Sequence, residues 1–151
     1  MDLKNTKATP VLLTKKPLKN GDRVLFTERP LPESKNGSIS PHLETGWQCE
    51  QIALQVYQQH GYQILKQRWK TPFAEVDLFF RSPDGHWVMV EVKSLPSTEY
   101  LSQRLTRKQK MRLKRAFLWA IERWGAGEMH LAMVCGPPSR REVLIFTEIF
   151  D

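Results

Sequence analysis

Residues Phe73 to Lys93 read as two β-strands, Phe73 to Phe80 and His86 to Lys93, joined by Ser82-Pro83-Asp84-Gly85 with proline and glycine where a tight turn wants them. Strand side chains alternate between two faces. On the first strand Val76, Leu78 and Phe80 share one face and Glu75, Asp77 and Phe79 the other. On the second, Val88, Val90 and Val92 share one face, and Trp87, Met89, Glu91 and Lys93 the other. Both faces carry large apolar groups, so both are expected to be covered. The charges Glu75, Asp77, Glu91 and Lys93 then gather at the strand ends of one face. Close carboxylates repel by a few kcal/mol per pair at an effective dielectric of about 20, so something positive must compensate. A divalent cation is the natural candidate.

The rest of the chain arranges itself around this pair. A helix is expected from about His42 to His60, stopped by Gly61. Leu43, Trp47, Leu54 and Tyr57 make an apolar stripe at helical spacing with Glu50 inside it, and Ile52, Ala53 and Val56 make a second apolar side. Alone, Glu50 reads as a boundary residue reaching solvent. A strand at Tyr62 to Arg68 precedes the hairpin. After Pro96 a second helix runs from about Leu105 to Trp124, and Leu131 to Cys135 and Val143 to Thr147 form two closing strands. The order is α-β-β-β-α-β-β.

With 151 residues and 40% hydrophobic content, the chain suits one soluble domain. No apolar run reaches membrane-span length and no secretory signal precedes the first charges, so a cytoplasmic location is expected. Cys49 and Cys135 imply neither a zinc site nor a disulfide framework. His42, His60, His86 and His130 lack ligand spacing. Residues 1–41 hold half of the ten prolines and several lysines, and read as a flexible basic extension of a domain spanning 42–151. Arg23-Val24-Leu25-Phe26 is its one ordered piece; an edge strand docked on the domain is the alternative.

The net charge of +7 matters through its distribution. Arg104, Arg107, Lys108, Lys110, Arg112, Lys114 and Arg115 occur on or just before the second helix with no acid among them. A solvated face normally mixes both signs, so this run points to a phosphate backbone. Arg107 or Lys108 with Arg112 and Arg115 recur about once per turn. Trp69 and Trp87 are read as core residues in preference to stacking platforms for a base.

Asp77, thirteen residues, then Glu91-Val92-Lys93 fits the D-x(n)-E-x-K pattern of metal-dependent nucleases. A hairpin with cross-strand ion pairs gives the same residues. The neighbouring Glu50 helix and basic helix favour the nuclease pattern, because that order is the αβββαβ core of the PD-(D/E)XK superfamily. Gly46-x-x-x-Glu50-x-x-Ala53, Gly61-Tyr62-x-Ile64-Leu65, Glu75-Val76-Asp77-Leu78, Val90-Glu91-Val92-Lys93 and Thr106-x-Lys108-Gln109 resemble the bacterial YraN-like family. That family is similar to archaeal Holliday-junction resolvases.

The resemblance implies an α/β, restriction-endonuclease-like fold with a mixed central sheet flanked by helices. It also implies Mg²⁺ or Mn²⁺ held by Asp77 and Glu91, with the Val92 carbonyl as a further ligand and Glu50 completing the set. Glu75 and Gln109 would be outer partners, and Lys93 would orient the attacking water or stabilise the oxyanion. Arg107, Lys108, Arg112 and Arg115 would meet the nucleic acid. The function implied is an endonuclease acting on DNA, on branched or single-stranded structures of recombination or repair. A non-catalytic adaptor for a helicase or similar partner is the alternative, and a homodimer is compatible with either.

Overall fold

Among the described residues, six strands and two helices follow one another as β1 (Arg23–Leu25), α1 (Pro41–Gln59), β2 (Gln63–Lys70), β3 (Glu75–Arg81), β4 (Trp87–Leu95), α2 (Arg107–Trp124), β5 (Gly127–Cys135) and β6 (Glu142–Phe146). The computed structural model describes residues 16–26, 41–95 and 105–150, with the side chains of α1 described from residue 46. All six strands form one sheet in the order β1-β6-β5-β4-β3-β2. Only β4 and β5 run parallel. A parallel neighbour requires a crossover, and α2 supplies it. No helix among the described residues is long and apolar enough to cross a membrane.

The two faces are covered by different helices. Ile52, Ala53, Val56 and Tyr57 of α1 pack on Leu78, Phe80, Val88, Val90, Ala132 and Ile145. Leu113 and Ala120 of α2 pack in the layer of Phe79, Met89, Leu131 and Met133 on the other side. This is the expected restriction-endonuclease-like arrangement, a mixed sheet between helices. Alternation fails within β3: Val76 packs with the α2-side layer and not with Leu78 and Phe80. The break falls at Asp77, beside the point where β3 and β4 part.

Local chemistry explains the helix ends. Gly61, at φ 86°, lets its own N–H reach the Gln58 carbonyl and the Tyr62 N–H reach that of Tyr57, which closes α1 with both hydrogen bonds of a Schellman motif. At the start of α2, Thr106 accepts from the Gln109 N–H, and the Gln109 side chain accepts from the Thr106 N–H at 2.9 Å. This reciprocal pair fixes where α2 begins.

The expected extension needs correction over residues 16–26. Leu18 and Phe26 are buried in the α1-side core, and β1 pairs antiparallel with β6. The Leu18 N–H donates to Tyr62 Oη at 2.8 Å, and Phe26 N–H donates to the Arg141 carbonyl at 2.9 Å. The edge-strand alternative is therefore the right one for this segment. The rest of residues 1–41 lies outside the described residues, apart from Pro41 in α1.

His130, given no role by its spacing, is fully buried on β5. Its Nε2 lies 3.0 Å from Glu128 Oε1 and its Nδ1 2.8 Å from Tyr57 Oη. A carboxylate only accepts, so Nε2 carries a proton toward Glu128, and Nδ1 shares the second hydrogen bond with Tyr57 Oη. Tyr57 also stacks on Phe80, with centroids 4.7 Å apart. The chain Tyr57–His130–Glu128 thus ties α1 to the sheet. Tyr57→Phe leaves the buried His130 Nδ1 without its partner and is expected to cost about 1–3 kcal/mol, read as a lower melting temperature. An unchanged melting temperature would show that the hydroxyl contributes only packing.

Candidate active site

Backbone pairing of β3 with β4 runs from Arg81–Trp87 to Leu78–Val90 and ends there. In register, Asp77 and Glu91 would come next. Instead the Asp77 carboxylate reaches across and accepts from the Val92 N–H at 2.8 Å. Within a strand a residue's N–H and C=O share one edge, so the Val92 carbonyl is directed to the same opening. The Asp77 and Glu91 carboxyl groups are close enough to act on one another electrostatically. Lys93 Nζ stands 3.5 Å from Glu91 Oε2.

Burial dominates the electrostatics here. It pushes the Glu91 carboxyl up to about 8, with the charge of Asp77 adding to the push and Lys93 opposing it. Asp77 is raised too, again by burial, against the pull of the Val92 N–H. Glu91 Oε1 is buried with no donor to meet it. A buried carboxylate oxygen without a partner is costly, and a divalent cation beside two carboxylates and a carbonyl would satisfy it. The donor set, all oxygen, suits Mg²⁺ or Mn²⁺. Among the described residues no three His, Cys, Asp or Glu side chains converge as a ready ligand group.

Glu50 stands near this pair, on the margin of the buried face of α1. Burial raises its carboxyl, the charge of Asp77 raises it further, and Arg68 lowers it. Arg68 Nε donates to Glu50 Oε1 at 3.1 Å. A cavity of about 220 Å³ opens from Glu91 toward α2, lined by Ala74, Glu75, Gln109, Arg112 and Leu113. Glu91, though not Asp77, therefore faces the basic helix across this opening.

A match to the uncharacterised protein family UPF0102 spans residues 49–145, from Glu50's neighbour through β6. The chain belongs to the UPF0102 family. A UPF0102 protein of Shewanella loihica is 36% identical over 50% of this chain and 67% of its own length. One from Ruegeria sp. is 31% identical over 57% of this chain and 82% of its own. A third, from Thermodesulfovibrio yellowstonii, is 33% identical over 46% and 65%. The family segment contains Glu50, Asp77, Glu91, Lys93 and all of α2, and it excludes the docked residues 16–26.

In this UPF0102 chain the structure brings together Asp77, Glu91, Val92 and Lys93, with Glu50 close by but engaged by Arg68. Glu75 lines the cavity and is exposed. Gln109 lines it as well, and its Oε1 serves the helix cap. Lys108, Arg112 and Arg115 share one exposed flank of α2, whereas Arg107 lies about 100° round the helix from Lys108. Trp87 is buried, as expected, and donates to the Gly125 carbonyl at 3.1 Å.

Arg68 was missed from sequence. It sits opposite Asp77 in the β2–β3 register and holds φ 48°, a left-handed conformation that costs a non-glycine residue on the order of 1–3 kcal/mol. A lone arginine on an edge strand reads as solvated, and nothing in the sequence marks its backbone.

The raised Glu91 carboxyl makes a prediction about stability. Between the ordinary carboxylate range and pH 8 the folded state holds a proton that the unfolded chain has lost. Metal-free stability therefore falls as pH rises through that window. Glu91→Gln removes this dependence. In EDTA, its melting temperature should match that of the parent near pH 5. It should exceed it near pH 8.5 by the equivalent of about 1–3 kcal/mol. A less stable variant at pH 8.5 would mean that the Glu91–Lys93 ion pair is a net stabiliser of the hairpin.

Proposed function

We propose that this chain is a metal-dependent endonuclease acting on DNA, including branched or single-stranded structures of recombination or repair. The observation that carries this reading is the unpartnered oxygen of Glu91, a carboxyl that neighbours Asp77 and shares a cavity with Arg112. Asp77, Glu91 and the Val92 carbonyl would hold one divalent cation, with Glu50 joining once released from Arg68. Such a cation supplies positive charge to a phosphodiester and favours hydroxide over water. Lys93, partly exposed beside Glu91, orients the incoming water or steadies the developing negative charge.

The helix supports the same reading. The first turn of α2 contains no acid, and Arg107, Lys108 and Lys110 all oppose the helix dipole there. Phosphate groups offset that repulsion and meet the free N–H groups of the turn as well. Lys108→Ala and Arg112→Ala should weaken DNA binding almost regardless of sequence. Each should lower the salt slope by about 0.9 on duplex DNA. An unchanged slope in the double variant would take the substrate off this helix.

The direct test is a Mg²⁺ and Mn²⁺ cleavage panel over single-stranded, flap, fork and four-way-junction DNA, with Asp77→Asn as control. Cleavage lost in the variant supports the nuclease. One observation favours a second reading: Arg68 neutralises Glu50. Firm DNA binding with no cleavage in either metal would make the chain a nucleic-acid-binding adaptor that works with a helicase or similar partner.

A further inference from the structure

The flank of α2 that faces the cavity continues past it and changes character. Lys108, Arg112, Arg115, Trp119 and Arg123 follow at steps of four, three, four and four, so they form one line along the helix. Arg112 lines the cavity beside Glu91. Trp119 lies about 10 Å further along the axis. Its ring is 5.8 Å from that of Trp69 on edge strand β2, and 5.5 Å from that of Trp124, edge-on. Trp124 is 48% exposed, although Leu113, Ala116 and Ala120 already bury the inner line of the helix. The Arg123 guanidinium lies over both indoles, at 5.1 Å from Trp119 and 5.7 Å from Trp124. Trp87 is different: it is buried and hydrogen-bonded, as a core indole should be.

We propose that this flank is the track of an unpaired DNA strand. Lys108, Arg112 and Arg115 take successive phosphates, and a base beyond the cavity stacks on the Trp119–Trp124 surface, with Arg123 adding a cation against the π faces. The inference rests on the nucleic-acid reading above and narrows it to strands with at least one unstacked base beside the cavity. The reason is steric. In an intact duplex both faces of every base are covered by neighbours, so a tryptophan gains a base only where stacking is already broken. A duplex would meet α2 through phosphates alone.

The test compares binding, by fluorescence anisotropy, of a labelled oligothymidylate, the same oligonucleotide with abasic central residues, and a duplex of equal length. The parent chain should prefer the complete strand over the abasic one by about 5- to 150-fold, the range for one stacked base. Trp119→Ala and Trp124→Ala should abolish that preference with the salt slope unchanged, and Trp119→Phe should keep most of it. Arg112→Ala should do the reverse, keeping the preference and lowering the slope by about 0.7.

Equal affinity of the parent chain for complete and abasic strands would overturn the stacking surface. That result needs no variant to fold, and it leaves the nuclease reading intact if Arg112→Ala still moves the slope. Failure to bind any of the three DNAs would overturn both.

Discussion

Lys93→Ala is expected to cut DNA on the order of 10²–10⁴ times more slowly than the parent chain while binding Mn²⁺ and DNA about as well at pH 9. Its ammonium group stands 3.5 Å from Glu91 and is partly exposed, so it touches the acid pair and still reaches the opening. An interaction made mainly in the transition state is lost from the rate and not from binding. The pH is chosen because Lys93 lowers the Glu91 carboxyl, which burial has pushed up to about 8. At pH 7 both chains hold a proton on Glu91, the variant more firmly, and its weaker metal binding would mask the effect on rate. If Lys93 serves only as counter-charge, the rate at saturating metal and DNA will be nearly unchanged at pH 9.

Deleting residues 1–26 is expected to destabilise the fold by about 3–6 kcal/mol relative to deleting residues 1–15. Leu18 and Phe26 are buried side chains worth about 1.5–3 kcal/mol each. Tyr62 Oη also loses its donor, and β6 becomes an open sheet edge. Differential scanning calorimetry should show a fall of about 10 °C or more between the two truncations. Equal melting temperatures would return residues 16–26 to the status of a dispensable tail.

The contrast between that segment and the acid pair shows which physics a sequence displays. Asp77, Glu91 and Lys93 stood out because a Pro-Asp-Gly turn is a local signal and charge among large apolar residues is conspicuous, whereas alternation alone put Val76 on the wrong face. Thr106 and Gln109 belong to the same class, since a capping box lies within four residues. β1 has only three residues, too few for alternation to stand out, and its meaning depends on a partner far along the chain. His130 needed Tyr57, 73 positions away, before its burial made sense. Arg68 needed both its register opposite Asp77 and its φ. Trp119 drew no reading of its own, and only the fold brings Trp69 of β2 beside it. Pairings across the fold, and backbone conformations imposed by them, leave no short-range mark.

The pairing of β1 with β6 also sets an order of events in time. The hairpin strands β3 and β4 are neighbours in the chain, and their contacts close over short loops. Arg23 must wait for Leu144, about 120 residues later. At a ribosomal pace of about 5–20 residues per second, the interval is roughly 6–24 s. During it the docking segment exists without its edge, and Leu18 and Phe26 have no completed core to enter. Long-range closure of this kind is slow even in the finished chain. A late strand leaves β6 able to accept the same segment from a neighbouring molecule, so strand exchange between two copies is the assembly error that this topology favours.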